Sequence, residues 1–190
     1  MNTRPLSSLE NAILTKVRNV AEDYSLIVIT RIGLQKAILD ATAPLRTVLK
    51  KAKFHDYSTQ QQGQDHKVLR EARLLMPSGV QLISASLYRP LTKKGDPRIW
   101  FNGLRSLASA DDVLAAFVHQ GALHIIDLTL IAREGGLATS PALQHWFEKE
   151  TALASATAQE LLGLLKELAA LGPIRAIGSG DTAVGRHRSE

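Results

Sequence analysis

The sequence predicts an α+β fold with a mainly β core, on three observations. Hydrophobic residues make up 45% of the 190-residue chain and charged residues 22%, the balance of a folded domain rather than of a disordered one. Short apolar runs separated by turn formers fill the middle of the chain, as strands do. Amphipathic segments with helical spacing stand at both ends. A chain of this length builds one domain, or one domain and a fragment of a second.

The elements follow in order. "SSLENAILTKVRNVAED" offers Ser7 or Ser8 as N-cap with a glutamate soon after, then Leu9, Ile13, Val17 and Val20 at helical spacing, which predicts a helix over residues 8–22. "SLIVITRI" is either a buried strand or the lead-in to the helical pattern of "LQKAILD". "APLRTVLKKAK" reads as a short helix whose basic C-terminal end suits the helix dipole. The run from Phe54 to Val68, "FHDYSTQQQGQDHKV", is almost free of aliphatic residues and reads as a loop. Pro77-Ser78-Gly79 then separates two strands, "PRIWFNGL" forms another, and Gly121 divides "VLAAFV" from "LHIIDLTL" as in a hairpin. From Ser140 the pattern is helical, with Ser140 as cap, Pro141 at the first helical position, an apolar face of Leu161, Leu162, Leu164, Leu165 and Leu168, and a stop at Gly172-Pro173. Trp146 and Phe147 read as packing residues of that helix.

Charge narrows the function. The formal net charge is +5, but residues 44–110 hold twelve Lys/Arg against four Asp/Glu, a local balance of +8, and the remainder is net acidic. A regional basic surface fits a polyanion such as nucleic acid, or is simply a solvated face. The chain has no cysteine, so it has neither disulfides nor a thiolate metal site. No signal-peptide layout and no span of about 20 apolar residues is present; a cytoplasmic protein with no membrane partner is expected.

Catalytic constellations are weak. His55, Asp56 and Ser58 are the residue types of a hydrolytic triad, yet neighbours this close in sequence do not easily align, and no nucleophile elbow is present. The six histidines show no metal-ligand spacing, and no strand carries the Asp followed by Glu-x-Lys of a metal-dependent nuclease. A non-catalytic chain without cofactor is the expectation.

Binding chemistry is better represented. Glutamine, asparagine, arginine and aspartate match base edges, and one good bidentate pair contributes about 1–3 kcal/mol of discrimination. The stretch His55–Lys67 brings such types together, and Gly63 would let its backbone approach a partner. A second polar segment, "YRPLTKKGDPRIWFN", offers Arg89, Lys93, Lys94, Asp96, Arg98 and Asn102 around Gly95-Asp96-Pro97. Two such loops at strand ends make a clamp. Beside this stand plainer readings: Gln60–Gln62 as a solvated loop, Lys93-Lys94 as a solvated turn, and one of Trp100 and Phe101 facing the core.

"ARLLMPSGV" with the polar stretch before it, followed by "SLYRPLTKKGDPRIWFNGL" and "DDVLAAFVHQGALHIIDLT", resembles the effector-binding N-terminal domain of EcoRII-type restriction endonucleases, a B3-like DNA-binding pseudobarrel. The closing "LGPIRAIGSGDTAVG" is similar to the start of MvaI-type catalytic domains, where Gly180, Thr182 and Gly185 match a G-x-T-x-x-G segment and "RHRSE" departs from it. The resemblance implies a DNA-binding domain over residues 1–171 with helical flanks, and a linker or start of a catalytic domain over 172–190.

It also implies a bacterial, sequence-specific double-stranded DNA-binding module with a CCWGG-like site, joined in its parent to a nuclease domain that alone would use magnesium. Two arms would grip the major groove. Asp56, Gln60, Gln61, Gln62, Asp65 and His66 of the first, and Arg89, Asp96, Arg98 and Asn102 of the second, would read bases. Lys53, Lys67, Lys93, Lys94 and Arg105 would hold phosphates, while His55, Tyr57, Ser58, Thr59, Gln64 and Trp100 complete the contact set. The alternative is a protein-interaction domain that meets an acidic partner through its basic loops.

Overall fold

The computed structural model describes residues 4–170 and divides the chain into two units, Met1–Leu153 and Ala154–Glu190. The first unit carries the α+β fold. Its helices are α1 (Ser8–Val20), α2 (Arg31–Lys36), α3 (Ala43–Lys51) and α4 (Leu128–Arg133), with the start of α5 (Pro141–Ala170). Its strands are β1 (Tyr24–Val28), β2 (Leu39–Asp40), β3 (Val68–Met76), β4 (Gly79–Tyr88), β5 (Arg98–Phe101), β6 (Val113–His119) and β7 (Ala122–Asp127).

The strands form one mixed sheet in the order β1-β6-β7-β3-β4-β5-β2. All pairings are antiparallel except β3 with β7, where Ala72 faces Leu123. The two edge strands, β1 and β2, line one and the same cavity, so the sheet curls until its edges approach.

Curling creates two cores. Inside the curl, Leu45 and Leu49 of α3 pack with Ile27, Leu87, Ile99, Phe101, Leu114 and Ile125. On the outer face, Ile13 and Val17 of α1, Ile131 of α4 and Phe147 of α5 cover Val113, Ala115, Phe117 and Ile126. Strand β6 is sandwiched between them, Leu114 and Ala116 facing one core and Ala115 and Phe117 the other. That explains the unbroken apolar run "VLAAF", since a strand buried on both faces has no polar alternation.

Local rules set the joints. Gln120 and Gly121 both have positive φ (50° and 75°), as a two-residue hairpin turn between β6 and β7 requires. Helix α1 starts in a capping box, the Ser7 hydroxyl accepting from the Glu10 amide and the Glu10 carboxylate from the Ser7 amide. Glu10 is buried, and its pairing with Arg4 together with a 2.7 Å bond from the Thr129 hydroxyl holds its carboxyl well below the ordinary range.

Two expectations are corrected. The strand expected through "LHIIDLTL" ends at Asp127, whose side chain accepts from the Leu130 amide and starts α4. An apolar run this short fits either period, and the cap decides it. Ser140 precedes α5 as expected, but its hydroxyl donates to the Gly136 carbonyl instead of capping the helix amides.

The described part of the second unit is helix from Ala154 to Ala170, where Leu161, Leu162, Leu164, Leu165 and Leu168 are exposed. The stop expected at Gly172-Pro173 and the linker expected over 172–190 lie outside the described residues. Among the described residues no helix is long and apolar enough to cross a membrane.

Candidate nucleic-acid interface

Helix α3 supplies the first wall of the site. Leu45, Val48 and Leu49 are buried, which turns Arg46, Thr47 and Lys50 outward, with Lys53 just beyond the C-terminus. Arg46 and Lys50, at i and i+4, share one stripe of the helix, and Lys53 follows its end. Strand β3 adds the exposed Arg70.

The two polar loops complete the site by joining each other. The Gly63 amide donates to the Arg89 carbonyl at 2.8 Å. The Arg89 guanidinium reaches the carbonyl of Gly95 in its own loop, and those of Tyr57 and Gln60 in the first, at 2.9–3.4 Å. The Gln60 amide group donates to the carbonyls of His66 and Leu87, 2.9 Å each, and its side-chain oxygen meets His55 Nε2 at 3.2 Å. Gly95, at φ 72°, sits so close to Gln62 that a Cβ there would lie 2.5 Å from that side chain.

These bonds correct several expectations. Two separate clamp arms give way to one cross-bonded block, because the second loop satisfies the carbonyls of the first. Gly63 is buried, and its backbone approaches the second loop instead of a partner. Tyr57 lies in the core at 4% exposure, its hydroxyl donating to the Arg98 carbonyl at 2.9 Å, and burial pushes the phenol pKa up. Arg89 and Gln60 use their polar groups as staples within the protein.

Two open grooves flank the block. One, of about 440 Å³, is lined by Arg46, Thr47 and Lys50, by Tyr57 and Ser58, and by Arg89, Lys94 and Asp96. The other, of about 540 Å³, is lined by Lys50, Lys53, His55, Thr59, Gln60 and Arg70. Asp56 lines both. Together they present six cations, Arg46, Lys50, Lys53, Arg70, Arg89 and Lys94, against two carboxylates, Asp56 and Asp96. Such a concentration of one sign on concave walls focuses a positive potential.

Asp56 is the pivot of that field. It accepts from the Ser58 hydroxyl at 2.6 Å and the Ser58 amide at 2.8 Å, and it pairs with Lys50 at 2.9 Å. The Ser58 hydroxyl first, then Lys50, holds its carboxyl well below the usual range. His55, half-buried with its ring edge on Tyr57 at 4.4 Å, has its pKa lowered chiefly by burial. No triad forms, for Ser58 bonds Asp56 while His55 turns to Gln60.

The remaining candidates divide by position. Gln61, Gln62, Gln64, Asp65, His66 and Lys67 are exposed on the rim of the block, where their side chains are accessible. Arg98, Trp100, Asn102 and Arg105 line neither groove. Trp100 packs on the inner core, and the Arg105 guanidinium is spent on the carbonyls of Leu34 and Gln35. Asn102 is exposed, and nothing is described of the Lys93 side chain. The sequence-derived set omits Arg46, Lys50 and Arg70; the i, i+4 spacing in "RTVLK" could have revealed the first two, once Leu45, Val48 and Leu49 were assigned to the core.

No family model, curated protein or solved structure matches the chain. The site is therefore read from its own chemistry. Among the described residues no group of three or more His, Asp or Glu side chains is placed to hold a metal ion.

Proposed function

We propose that this chain is a sequence-specific double-stranded DNA-binding domain built as a B3-like pseudobarrel. In this reading it is the effector or targeting part of a type II restriction endonuclease with a CCWGG-like site, and it is itself non-catalytic. The observation that carries the reading is the pair of grooves with six cations and two carboxylates meeting at one loop block. Arg46, Lys50, Lys53, Arg70 and Lys94 hold phosphates, and the exposed Gln61, Gln62, Gln64, Asp65 and His66 on the rim read base edges. Magnesium, on this reading, belongs to the linked nuclease domain. The curled seven-stranded sheet is compatible with a pseudobarrel.

A second reading has one observation of its own. The five exposed leucines between Leu161 and Leu168 suit a protein-docking helix, which favours a protein-interaction module. Salt dependence does not separate the two readings, because both are electrostatic at the grooves.

The deciding experiment is a titration of the 190-residue chain with a short CCWGG duplex and a base-scrambled duplex, at two salt concentrations and without magnesium. The DNA reading expects tighter binding to the CCWGG duplex and weakening of both with salt. Equal binding of both removes the sequence-reading role; no binding to either leaves the protein-interaction reading.

A further inference from the structure

Away from the grooves, the two edge strands of the sheet enclose a cavity of about 190 Å³. Its apolar part comes from Leu26 and Val28 of β1 and from Ile32 and Ile38. It exists because the sheet curls without closing, so that β1 and β2 face each other unpaired. Gly33 keeps the nearby chain tight, since a Cβ there would lie 2.7 Å from the Ile38 carbonyl oxygen.

The polar lining is unbalanced towards donors. Arg98 lines the cavity; its Nε, which has no accessible surface of its own, finds no hydrogen-bond partner among the described residues. Lys36 also lines the cavity. Thr30 and Thr42 each accept a backbone amide as helix caps, from Gly33 and Leu45, which commits their oxygens as acceptors and leaves the hydroxyl protons to be donated. Asp40 is the single acidic side chain of the lining.

We infer that this seam binds a small organic monoanion: a carboxylate head against Arg98, Lys36 and the two threonines, and a compact apolar body against the aliphatic side chains. The volume fixes the size, because a dry cavity of about 150 Å³ accepts benzene. A molecule of benzoate size therefore fits. The site is independent of the DNA reading, as its lining shares no residue with either groove.

The test uses sodium benzoate as probe, benzyl alcohol as its neutral counterpart and inorganic phosphate as a head without a body. Each is titrated into the full chain while the methyl resonances of Leu26, Val28 and Ile38 are followed. The inference expects saturable benzoate shifts, benzyl alcohol weaker by about ten-fold or more, and no methyl shifts with phosphate. Arg98→Met should weaken benzoate by about ten-fold or more. Should that variant not fold, the exposed Lys36→Met decides, with several-fold weakening at unchanged melting temperature. Equal binding of benzyl alcohol, unaltered affinity in the folded variants, or no saturable shift at these methyls overturns the inference.

Discussion

Replacing Arg46, Lys53 and Arg70 together by glutamine should lower affinity for any DNA duplex by about two to three orders of magnitude at roughly 0.1 M salt. The figure follows from counterion release: each phosphate contact contributes about 0.9 to the slope of log K against log salt, so three lost contacts remove between 2 and 3 units. Among the described residues none of the three side chains has a hydrogen-bond or ion-pair partner, and glutamine keeps much of each aliphatic stem. The fold should persist, which circular dichroism checks. The loss should fall equally on CCWGG and scrambled duplexes, since phosphates carry no sequence. An unchanged salt slope would remove these residues from the interface.

The second large effect concerns stability in acid. His124 on β7 is wholly buried, stacked on Phe117 at 5.3 Å and beside Trp146 and His119 at 5.4 and 5.9 Å. Its Nδ1 meets the Ala122 carbonyl at 3.0 Å, so that nitrogen bears the proton, while Nε2 has no partner among the described residues. Burial lowers its pKa to about 4, opposed by the Ala122 carbonyl and assisted by Arg73 and His119. The unfolded chain, titrating near the ordinary 6.5, takes up a proton that the folded chain refuses. Stability is therefore lost as pH falls from about 6.5 to 4, by up to about 3 kcal/mol from this group.

Other groups act in the same window. His55, lowered by burial, adds a loss of the same sign. Asp127, raised by burial and by the neighbouring Asp112, works in the opposite direction because the folded chain holds its proton to higher pH. The difference between His124→Phe and the parent isolates His124. In urea unfolding at pH 7 and pH 4.5, the variant's relative stability should rise on acidification; an identical pH dependence in both proteins would place the burden elsewhere.

What the sequence made legible was local. A serine at 7 or 8 with a glutamate soon after marks the start of α1, and Gly121 marks the β6–β7 turn; that "VLAAF" is buried on both faces emerges only from the two cores of the fold. The start of α4 was missed because "LTL" fits either period until Asp127 caps it. The basic residues of α3 are visible in the sequence, but there they read as complements of the helix dipole and not as a wall of the site. The union of the two loops was not legible at all. It rests on Arg89 and Gln60 bonding to backbone carbonyls about thirty residues away, and side-chain type gives no hint that a polar group will be spent inside the protein.

The most direct test of the DNA reading is a map of backbone amide shifts when a short CCWGG duplex is added to the full chain. The account predicts perturbations at residues 46–67 and 89–97, with the outer face of α1 and α4 unchanged. Perturbations centred on α1 and α4, or on the leucine-rich helix beyond Ala154, would contradict it.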